Sequence, residues 1–505
     1  MSRLSKNIIY NLVGQGLLLV LGFVAVRYVF RQLGEDALGV IYFTTTLSAA
    51  LYAVLELGIC STTTREVAAH LHDDPGYIRD LIRTASLLYW SAYVLLALTI
   101  YLGAPFLVEK WINLRTIDAP TATRMVQVLG IGTLTVLPRS FYGSLLSGLQ
   151  RMEFNNLINV STSALQQFGT IVILVLGGDL FDVVYWLTAS FALGLLGYIL
   201  VSAHFFTFPG LVPGFSASVV RRNLRYSSNM AVISMLATVH MQADKVIVSK
   251  LLPIATFGFY GFASSIVSKL TLATGAISQA AFPSFSALFK GLDKSNLLSQ
   301  YRKLQDLLCF ATLPVLAFIP FAATPLFTYL LNPQAARILL VPVTLLSVGT
   351  YMNGTLHIPY VCSLAAGKPE IAVRLNLYAL FVVLPVAALL VYYFGLAGAG
   401  LSWVFYHLFA YAYAVPRICS ECLGISPAEW YSHVLRIAGL AGGTYGGAWA
   451  ILEGLGAGSI LPLILAYAGA SIAFLVGGYW MMGDELQETF LRYLQAVRIR
   501  MAEAL

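Results

Sequence analysis

The segment NIIYNLVGQGLLLVLGFVAVRYVFRQLGEDALGVIYF, residues 7–43, contains an apolar run over residues 8–30, a glycine turn and the start of a second apolar run. A helix needs about 20 mostly apolar residues to cross the hydrocarbon core of a bilayer. The first run meets this length, and it has no small-residue cleavage site. We therefore interpret it as a first transmembrane helix rather than as a removed signal peptide.

The rest of the chain has the same apolar character. Charged residues make up 10% of the 505 residues and hydrophobic residues 58%, whereas a typical soluble domain has about 25% charged residues. No polar stretch is long enough to form a soluble domain, so we predict an all-α membrane protein with about 14 transmembrane helices. The predicted helices are residues 8–30, 37–63, 84–103, 125–149, 157–176, 183–206, 229–252, 257–281, 307–330, 338–366, 371–394, 396–415, 434–452 and 460–482.

The distribution of Lys and Arg predicts the orientation of these helices. With the N-terminus placed inside, 20 basic residues fall in inner segments and 6 in outer segments. Such an excess on one side is typical of cytoplasmic loops, so we expect both termini in the cytoplasm. The net charge of +7 is then explained by attraction to the anionic inner leaflet, and nucleic acid is not needed as a partner.

The turn of the opening segment recurs once in the chain. RQLGEDALGVIYF, residues 31–43, aligns with KLLPIATFGFYGF, residues 250–262, at an offset of 219, which pairs Gly39 with Gly258. An even number of predicted helices separates the copies, so both have the same orientation. This pattern predicts two six-helix bundles related by an axis along the membrane normal, with a ligand site between them.

The repeat sets the predicted domain boundaries. We expect a first lobe over residues 1–208 (helices 1–6), a second lobe over 209–417 (helices 7–12) and two further helices over 418–483. The remaining tail, 484–505, carries its apolar residues on one face. This favours an amphipathic helix on the inner membrane surface, with a frayed soluble tail as the alternative.

Five stretches resemble one protein family in their order and spacing. They are the opening segment, LELGICSTTTREVA (55–68), SGLQRMEFNN (147–156), ADKVIVSKLLPIATFGFYGFAS (243–264) and AFPSFSALF (281–289). The chain resembles the lipid-linked oligosaccharide (polysaccharide and O-antigen) flippases, a branch of the multidrug/oligosaccharidyl-lipid/polysaccharide exporter superfamily.

The resemblance implies a fold and a function beyond those patterns. It implies two six-helix lobes in a V shape around a central cavity, plus two C-terminal helices. It also implies alternating access that moves a polyprenyl-pyrophosphate-linked sugar from the inner to the outer leaflet of the cytoplasmic membrane. The implied partners are this lipid-linked oligosaccharide, membrane lipids, and the polymerase and glycosyltransferases of polysaccharide synthesis.

Four basic residues fall within predicted helices: Arg27, Arg139, Lys245 and Lys269. A charge at bilayer depth costs from ~2.5 to more than about 10 kcal/mol, so such residues usually face a cavity or a partner. One interpretation is that all four line the cleft and bind a pyrophosphate, since arginine forks match phosphate oxygens. The other is that Lys245 and Lys250 extend to the outer interface while Asp244 pairs with a neighbour such as Arg27. Pro138 interrupts the helix before Arg139 and favours an inward-pointing guanidinium.

Acidic residues and histidines within the helices are candidates for ion coupling. We expect no cofactor, and consider H⁺ or Na⁺ as the coupled ion. His240 and Asp244 lie four residues apart and share one helix face. The candidate coupling residues are Glu56, His240, Asp244 and His357.

Other functions have weaker support in the sequence. AAGKPE, residues 365–370, lacks the first glycine and the hydroxyl residue of a P-loop, so ATP is not expected to drive the chain. Cys419 and Cys422 form a lone CxxC without further ligands, so we expect no metal site. The alternatives are an ion-coupled extruder of cationic drugs, which a positive cleft disfavours, a non-transporting scaffold and a membrane enzyme; we expect no enzyme.

Overall fold

The computed structural model describes residues 3–55, 58–71, 73–269, 272–456, 459–483 and 486–488. Within these residues the regular structure is helical throughout, and two compact units, Met1–Phe262 and Ala263–Leu505, divide the chain. The predicted all-α class is confirmed. The predicted lobes, 1–208 and 209–417, remain a prediction, and most of the predicted tail, 484–505, lies outside the described residues.

The first unit contains ten helices and most of an eleventh. They are α1 (Arg3–Leu33), α2 (Glu35–Leu55), α3 (Ile59–His70), α4 (Pro75–Lys110), α5 (Ala119–Thr133), α6 (Val136–Gly148), α7 (Met152–Val175), α8 (Leu180–Phe206), α9 (Phe208–Leu211), α10 (Ala217–Leu251) and α11 (Ile254–Lys269). The second unit continues with α12 (Leu272–Lys290), α13 (Lys294–Leu330), α14 (Pro333–Ala365), α15 (Glu370–Ile418), α16 (Pro427–Ala441), α17 (Gly447–Gly454) and α18 (Ile460–Met481).

Nine helices among the described residues are long and apolar enough to cross a membrane. One of them runs over Glu370–Leu423, 54 residues, which at 1.5 Å per residue is far longer than a bilayer core of about 30 Å. Gly395 divides it with a φ of 57° and a ψ of −132°, at the boundary between predicted helices 11 and 12. Several other predicted helices consist of two shorter helices, for example α2 with α3 and α5 with α6. The count of fourteen crossings therefore remains a prediction.

The two copies of the sequence repeat form equivalent turns. α1 ends at Leu33 and α2 begins at Glu35, while α10 ends at Leu251 and α11 begins at Ile254, which is Glu35 plus the offset of 219. The copies cross at their paired glycines: a Cβ on Gly258 would lie 2.7 Å from the Gly39 nitrogen. Because neither residue has a side chain, the two helix backbones approach closely there.

The loop between α4 and α5 contacts both turns of the repeat. Asp36 of the first copy is fully buried and accepts backbone N–H groups of Arg115, Thr116 and Ile117 at 2.7, 2.6 and 3.2 Å. Asn113 contacts the second copy, because its carbonyl oxygen accepts the N–H of Ile254 at 3.0 Å. One loop thus joins α2 to α11 at this end of the first unit.

In the second unit, α13 contacts both α14 and α18. Asp306 of α13 is buried, lies 2.8 Å from Nε2 of His433 on α16, and accepts the backbone N–H of Gly483 after α18 at 2.8 Å. These contacts fix the last helices to α13. The five cysteines are free thiols.

Candidate functional site

A cavity of about 870 Å³ lies inside the first unit. It is formed by α2, α3, α5, α6, α7 and α8, and most residues of its wall are polar, although apolar atoms make up most of the wall surface. Eight of the lining residues carry a hydroxyl on a short side chain: Thr45, Ser48, Ser61, Thr64, Thr133, Ser140, Ser144 and Ser147. Tyr52, Tyr198 and Phe191 add aromatic rings.

Arg139 supplies positive charge to this cavity. α5 ends at Thr133 and α6 begins at Val136, so the predicted interruption before Arg139 is present, with Pro138 in the first turn of α6 where its missing N–H is tolerated. The Arg139 guanidinium donates to Oδ1 of Asn159 at 3.2 Å and lies 5.8 Å from the Tyr198 ring. Among the described residues, no carboxylate forms an ion pair with it.

Arg65 of α3 is the second cation in the cavity wall. Its guanidinium donates to Oε1 of Glu66, with Nε at 3.0 Å, and lies 3.8 Å from the centre of the Tyr226 ring. The Arg65 side chain is 46% exposed, whereas that of Glu66 is 6% exposed. Arg65 therefore faces open space on one side and a buried carboxylate on the other.

Glu66 joins three helices beside the cavity. Its Oε2 accepts the hydroxyl of Tyr77 on α4 at 3.0 Å and lies 3.9 Å from Nη2 of Arg222 on α10. Burial acts to raise the pKa of the Glu66 carboxyl, but hydrogen bonds from Arg65 and Tyr77 and the charges of Arg65 and His70 hold it below its ordinary value. The carboxylate thus stays ionised at neutral pH.

Asn155 of α7 completes the wall next to Ser147. Its Nδ2 donates to the Gly143 carbonyl and to Ser147 Oγ, both at 3.0 Å. Its Oδ1 has no partner among the described residues. The amide therefore retains acceptor capacity next to the hydroxyl-lined wall.

Comparison with known proteins connects this architecture to a family. Residues 4–289 match the model of the family described as "Polysaccharide biosynthesis protein". The chain belongs to this family. A putative O-antigen transporter from Shigella flexneri is 21% identical over 411 residues, which is 79% of this chain and 93% of that protein.

Two solved structures share this fold over most of the chain. The lipid II flippase MurJ in an inward closed conformation has a TM-score of 0.66 at 12% identity, and 96% of this chain and 99% of that one are covered. An inward-facing multidrug resistance MATE family transporter of the MOP superfamily also has a TM-score of 0.66, at 16% identity, with 80% and 95% covered. The predicted family and the predicted class, a multi-pass membrane protein, are confirmed.

The predicted binding residues of this family member lie in different places. Arg139 lines the cavity of the first unit, whereas Arg27, half-buried on α1, and Lys245 on α10 are not part of its wall. Lys245 Nζ lies 3.4 Å from Asp244 Oδ1 and donates to the Met241 carbonyl at 3.0 Å. The structure thus pairs Asp244 with Lys245. Lys269 is exposed at the end of α11, in the second unit.

The candidate coupling residues are equally dispersed. Asp244 is buried and accepts the Tyr260 hydroxyl at 2.6 Å, with buried His240 one turn earlier on α10. His357 lies in the second unit on α14, where its Nε2 is 3.1 Å from Asn353 Oδ1. Glu56 lies outside the described residues. Their roles remain predictions.

Sequence reasoning missed Arg65, Asn155 and Asn159 as members of the site. Two stretches that carried the family resemblance contained the signal: LELGICSTTTREVA includes Ser61, Thr64 and Arg65, and SGLQRMEFNN includes Ser147 and Asn155. All five of these residues line the cavity. The stretches therefore mark the wall of one cavity as well as membership of one family.

Proposed function

We propose that the chain is a flippase that moves a polyprenyl-pyrophosphate-linked oligosaccharide or glycolipid from the inner to the outer leaflet by alternating access. The observation that carries this proposal is Arg139, a cation without a carboxylate partner among the described residues, in a hydroxyl-lined cavity inside a helix bundle. A volume of about 870 Å³ is within the range of pockets that enclose a small ligand.

The wall offers a chemical partner to each part of such a ligand. Arginine forks bind phosphate oxygens through paired hydrogen bonds, and the attraction is stronger in a low-dielectric bundle than in water. Arg139 and Arg65 are positioned to provide it. The hydroxyls of the wall can bond sugar hydroxyls, and the rings of Tyr52 and Tyr198 can pack against sugar faces. This combination favours a phosphorylated saccharide.

Orientation and coupling are further parts of the proposal. The 20 to 6 distribution of basic residues supports a cytoplasmic location for both termini in a prokaryotic inner membrane. The Glu66 end of the first unit then faces the cytoplasm, and the α4–α5 loop faces outward. For a coupled H⁺ or Na⁺, the buried Asp244 with Tyr260, together with His240, supports a site on α10. Polymerase and glycosyltransferases remain proposed partners.

Translocation in proteoliposomes tests the proposal. The substrate is farnesyl-pyrophosphoryl-N-acetylglucosamine with a fluorescent group on the sugar, which dithionite quenches from one side of the vesicle. We expect the native chain to move the lipid faster than protein-free vesicles do, and not to accumulate ethidium, a cationic drug. Transport of ethidium alone would establish the drug-extruder alternative, and transport of neither would favour the scaffold.

A further inference from the structure

Arg65 both pairs with the buried carboxylate of Glu66 and lines the cavity. Among the described residues, the basic side chains within 4 Å of this carboxylate are Arg65, His70 and Arg222. Arg65 alone of the three also lines the cavity. Its guanidinium has several N–H donors, but its Nε and Nη2 both donate to Oε1 of Glu66. An anion that binds the same Nε and Nη2 donors would therefore compete with Glu66 for Arg65.

We propose that Glu66 is a positioning residue that competes with the bound anion for Arg65, so that binding of a pyrophosphate in the cavity is coupled to proton uptake beside it. The inference rests on the proposed function and deepens it. It adds a proton-binding cluster at Glu66, adjacent to the proposed pyrophosphate site, to the ion site proposed on α10.

Proton uptake is expected because Glu66 loses a neighbouring positive charge when Arg65 binds the anion. Glu66 is 4% exposed, so water replaces a lost cation poorly. The groups left around it are His70 on its own helix at 3.3 Å, Tyr77 on α4 at 3.0 Å and Arg222 on α10 at 3.9 Å. A proton from the adjoining water, bound by the Glu66 carboxylate, restores the lost positive charge.

Linkage gives the sign of the effect. If binding of the anion takes up a proton, then a lower pH strengthens binding by the same coupling free energy. Glutamine at position 66 keeps the size of the side chain but carries no charge, so it competes much more weakly for Arg65. The anion should then bind more tightly, and the proton uptake that depends on Glu66 should disappear.

Isothermal titration of the full chain in lipid nanodiscs tests the inference. The probe is unlabelled farnesyl-pyrophosphoryl-N-acetylglucosamine, a pyrophosphate diester without a group that titrates near neutral pH. Titration at pH 6.5 in two buffers with different ionisation enthalpies gives the number of protons bound. We expect the native chain to take up a fraction of a proton, and Glu66→Gln to bind about five- to tenfold more tightly without that uptake.

Two further variants separate competition from a general structural effect. Glu153→Gln is the matched control, because Glu153 pairs with Arg151 at 3.3 Å, is 58% exposed and is not part of the cavity wall. It should bind as the native chain does. In an Arg65→Gln background, Glu66→Gln should produce no further gain in affinity.

The outcomes test the competition at Glu66 separately from the proposed flippase function. Binding by the native chain without proton uptake, or equal affinity of folded Glu66→Gln and native protein, would reject the competition and leave the flippase proposal standing. No binding by the native chain would reject the pyrophosphate site and the inference with it. If Glu66→Gln does not fold, proton uptake by the native chain on binding the probe still decides whether the inference holds.

Discussion

Arg139 brings a positive charge to the cavity wall without a carboxylate partner among the described residues. The only hydrogen bond of its side chain among those residues is to the neutral amide of Asn159. Hydrogen bonds to charged groups contribute about 1.5–3 kcal/mol. We therefore predict that Arg139→Gln binds farnesyl-pyrophosphoryl-N-acetylglucosamine about tenfold or more weakly than the native chain, as measured by titration in nanodiscs.

The control for this prediction is Arg124→Gln. Arg124 of α5 lies 4.7 Å from the Phe181 ring and donates to Tyr185, but it does not line the cavity. It should bind the probe with native affinity. Equal losses for both variants would indicate a general effect of net charge rather than a site at Arg139.

The lowered pKa of Glu66 predicts that this residue stabilises the fold in a pH-dependent way. A carboxyl whose pKa is lower in the folded chain stabilises the fold above its unfolded pKa, and this contribution is lost as the pH falls through the folded pKa. For Glu66, the contribution is complete above the ordinary value of 4.5 and declines below it. We expect Glu66→Gln to melt at a lower temperature than the native chain at pH 7, with a smaller difference at pH 3.5.

Thermal unfolding in detergent across this pH range checks the sign. Glu153→Gln should differ little from the native chain at pH 7, because its exposed ion pair contributes at most about 1 kcal/mol. A difference between native and Glu66→Gln that grows on acidification would contradict the lowered pKa.

Sequence reasoning found Arg139 because charges are rare in apolar segments, and missed Arg65 for a physical reason. Arg65 stands at the polar end of predicted helix 2, where a basic residue is ordinary. It joins the cavity wall because α3 packs closely on α6: a Cβ on Gly148 would lie 2.8 Å from Val67 Cβ. Only a tertiary contact reveals this. Likewise, the sequence left open whether Lys245 lines the cleft or extends to the outer interface, and it did not predict that Lys245 Nζ lies 3.4 Å from Asp244 Oδ1.

At the scale of elements, the sequence repeat could be predicted, but the close contact between its two copies could not. The offset of 219 paired Gly39 with Gly258, but residue identity alone does not indicate that the two glycines touch. A Cβ on Gly39 would lie 2.2 Å from the Ile254 carbonyl oxygen. We predict that Gly39→Ala forces α2 and α11 apart and lowers the stability by about 1–3 kcal/mol.

Melting temperature in detergent measures this effect. Gly103→Ala in α4 is the matched control, since a Cβ there meets nothing within 4 Å. Alanine has the higher helix propensity, so this control should be neutral or slightly stabilising. Native stability of folded Gly39→Ala would show that the two turns do not cross closely.

The loop between α4 and α5 is the element that joins the two repeat turns. The Asp36 carboxylate accepts three backbone N–H groups from it. All three donate to the same oxygen, Oδ2, so an asparagine oxygen can take its place but without the charge that strengthens the three hydrogen bonds. We predict that Asp36→Asn accelerates amide hydrogen exchange at residues 115–117 by about tenfold, since a hydrogen bond to a charged group contributes roughly 1.5–3 kcal/mol and a neutral one roughly 0.5–1.5 kcal/mol.

Mass spectrometry of deuterated peptides resolves this loop. Asp118→Asn serves as the control: Asp118 is exposed and accepts the N–H of Thr121 at 3.1 Å at the start of α5, a bond asparagine can replace. It should leave exchange at residues 115–117 near the native rate. Unchanged exchange in Asp36→Asn would show that the carboxylate does not hold the loop.

At the scale of the whole molecule, composition alone predicted the class. With 10% charged residues, the chain cannot cover a soluble surface, and helices satisfy the backbone in lipid. The number of crossings was harder to predict, because a hydropathy window averages over a break as short as that between Thr133 and Val136. The cavity was beyond the sequence, since its wall combines residues from six helices.

The central claim is that the cationic cavity of the first unit carries the pyrophosphate group of a lipid-linked saccharide across the membrane. The most direct test is the initial rate of translocation in proteoliposomes for native chain, Arg139→Gln and Arg124→Gln, each reconstituted at equal density and shown to be folded. We predict a rate about tenfold or more lower for Arg139→Gln and a native rate for Arg124→Gln. Native translocation by folded Arg139→Gln would contradict the claim.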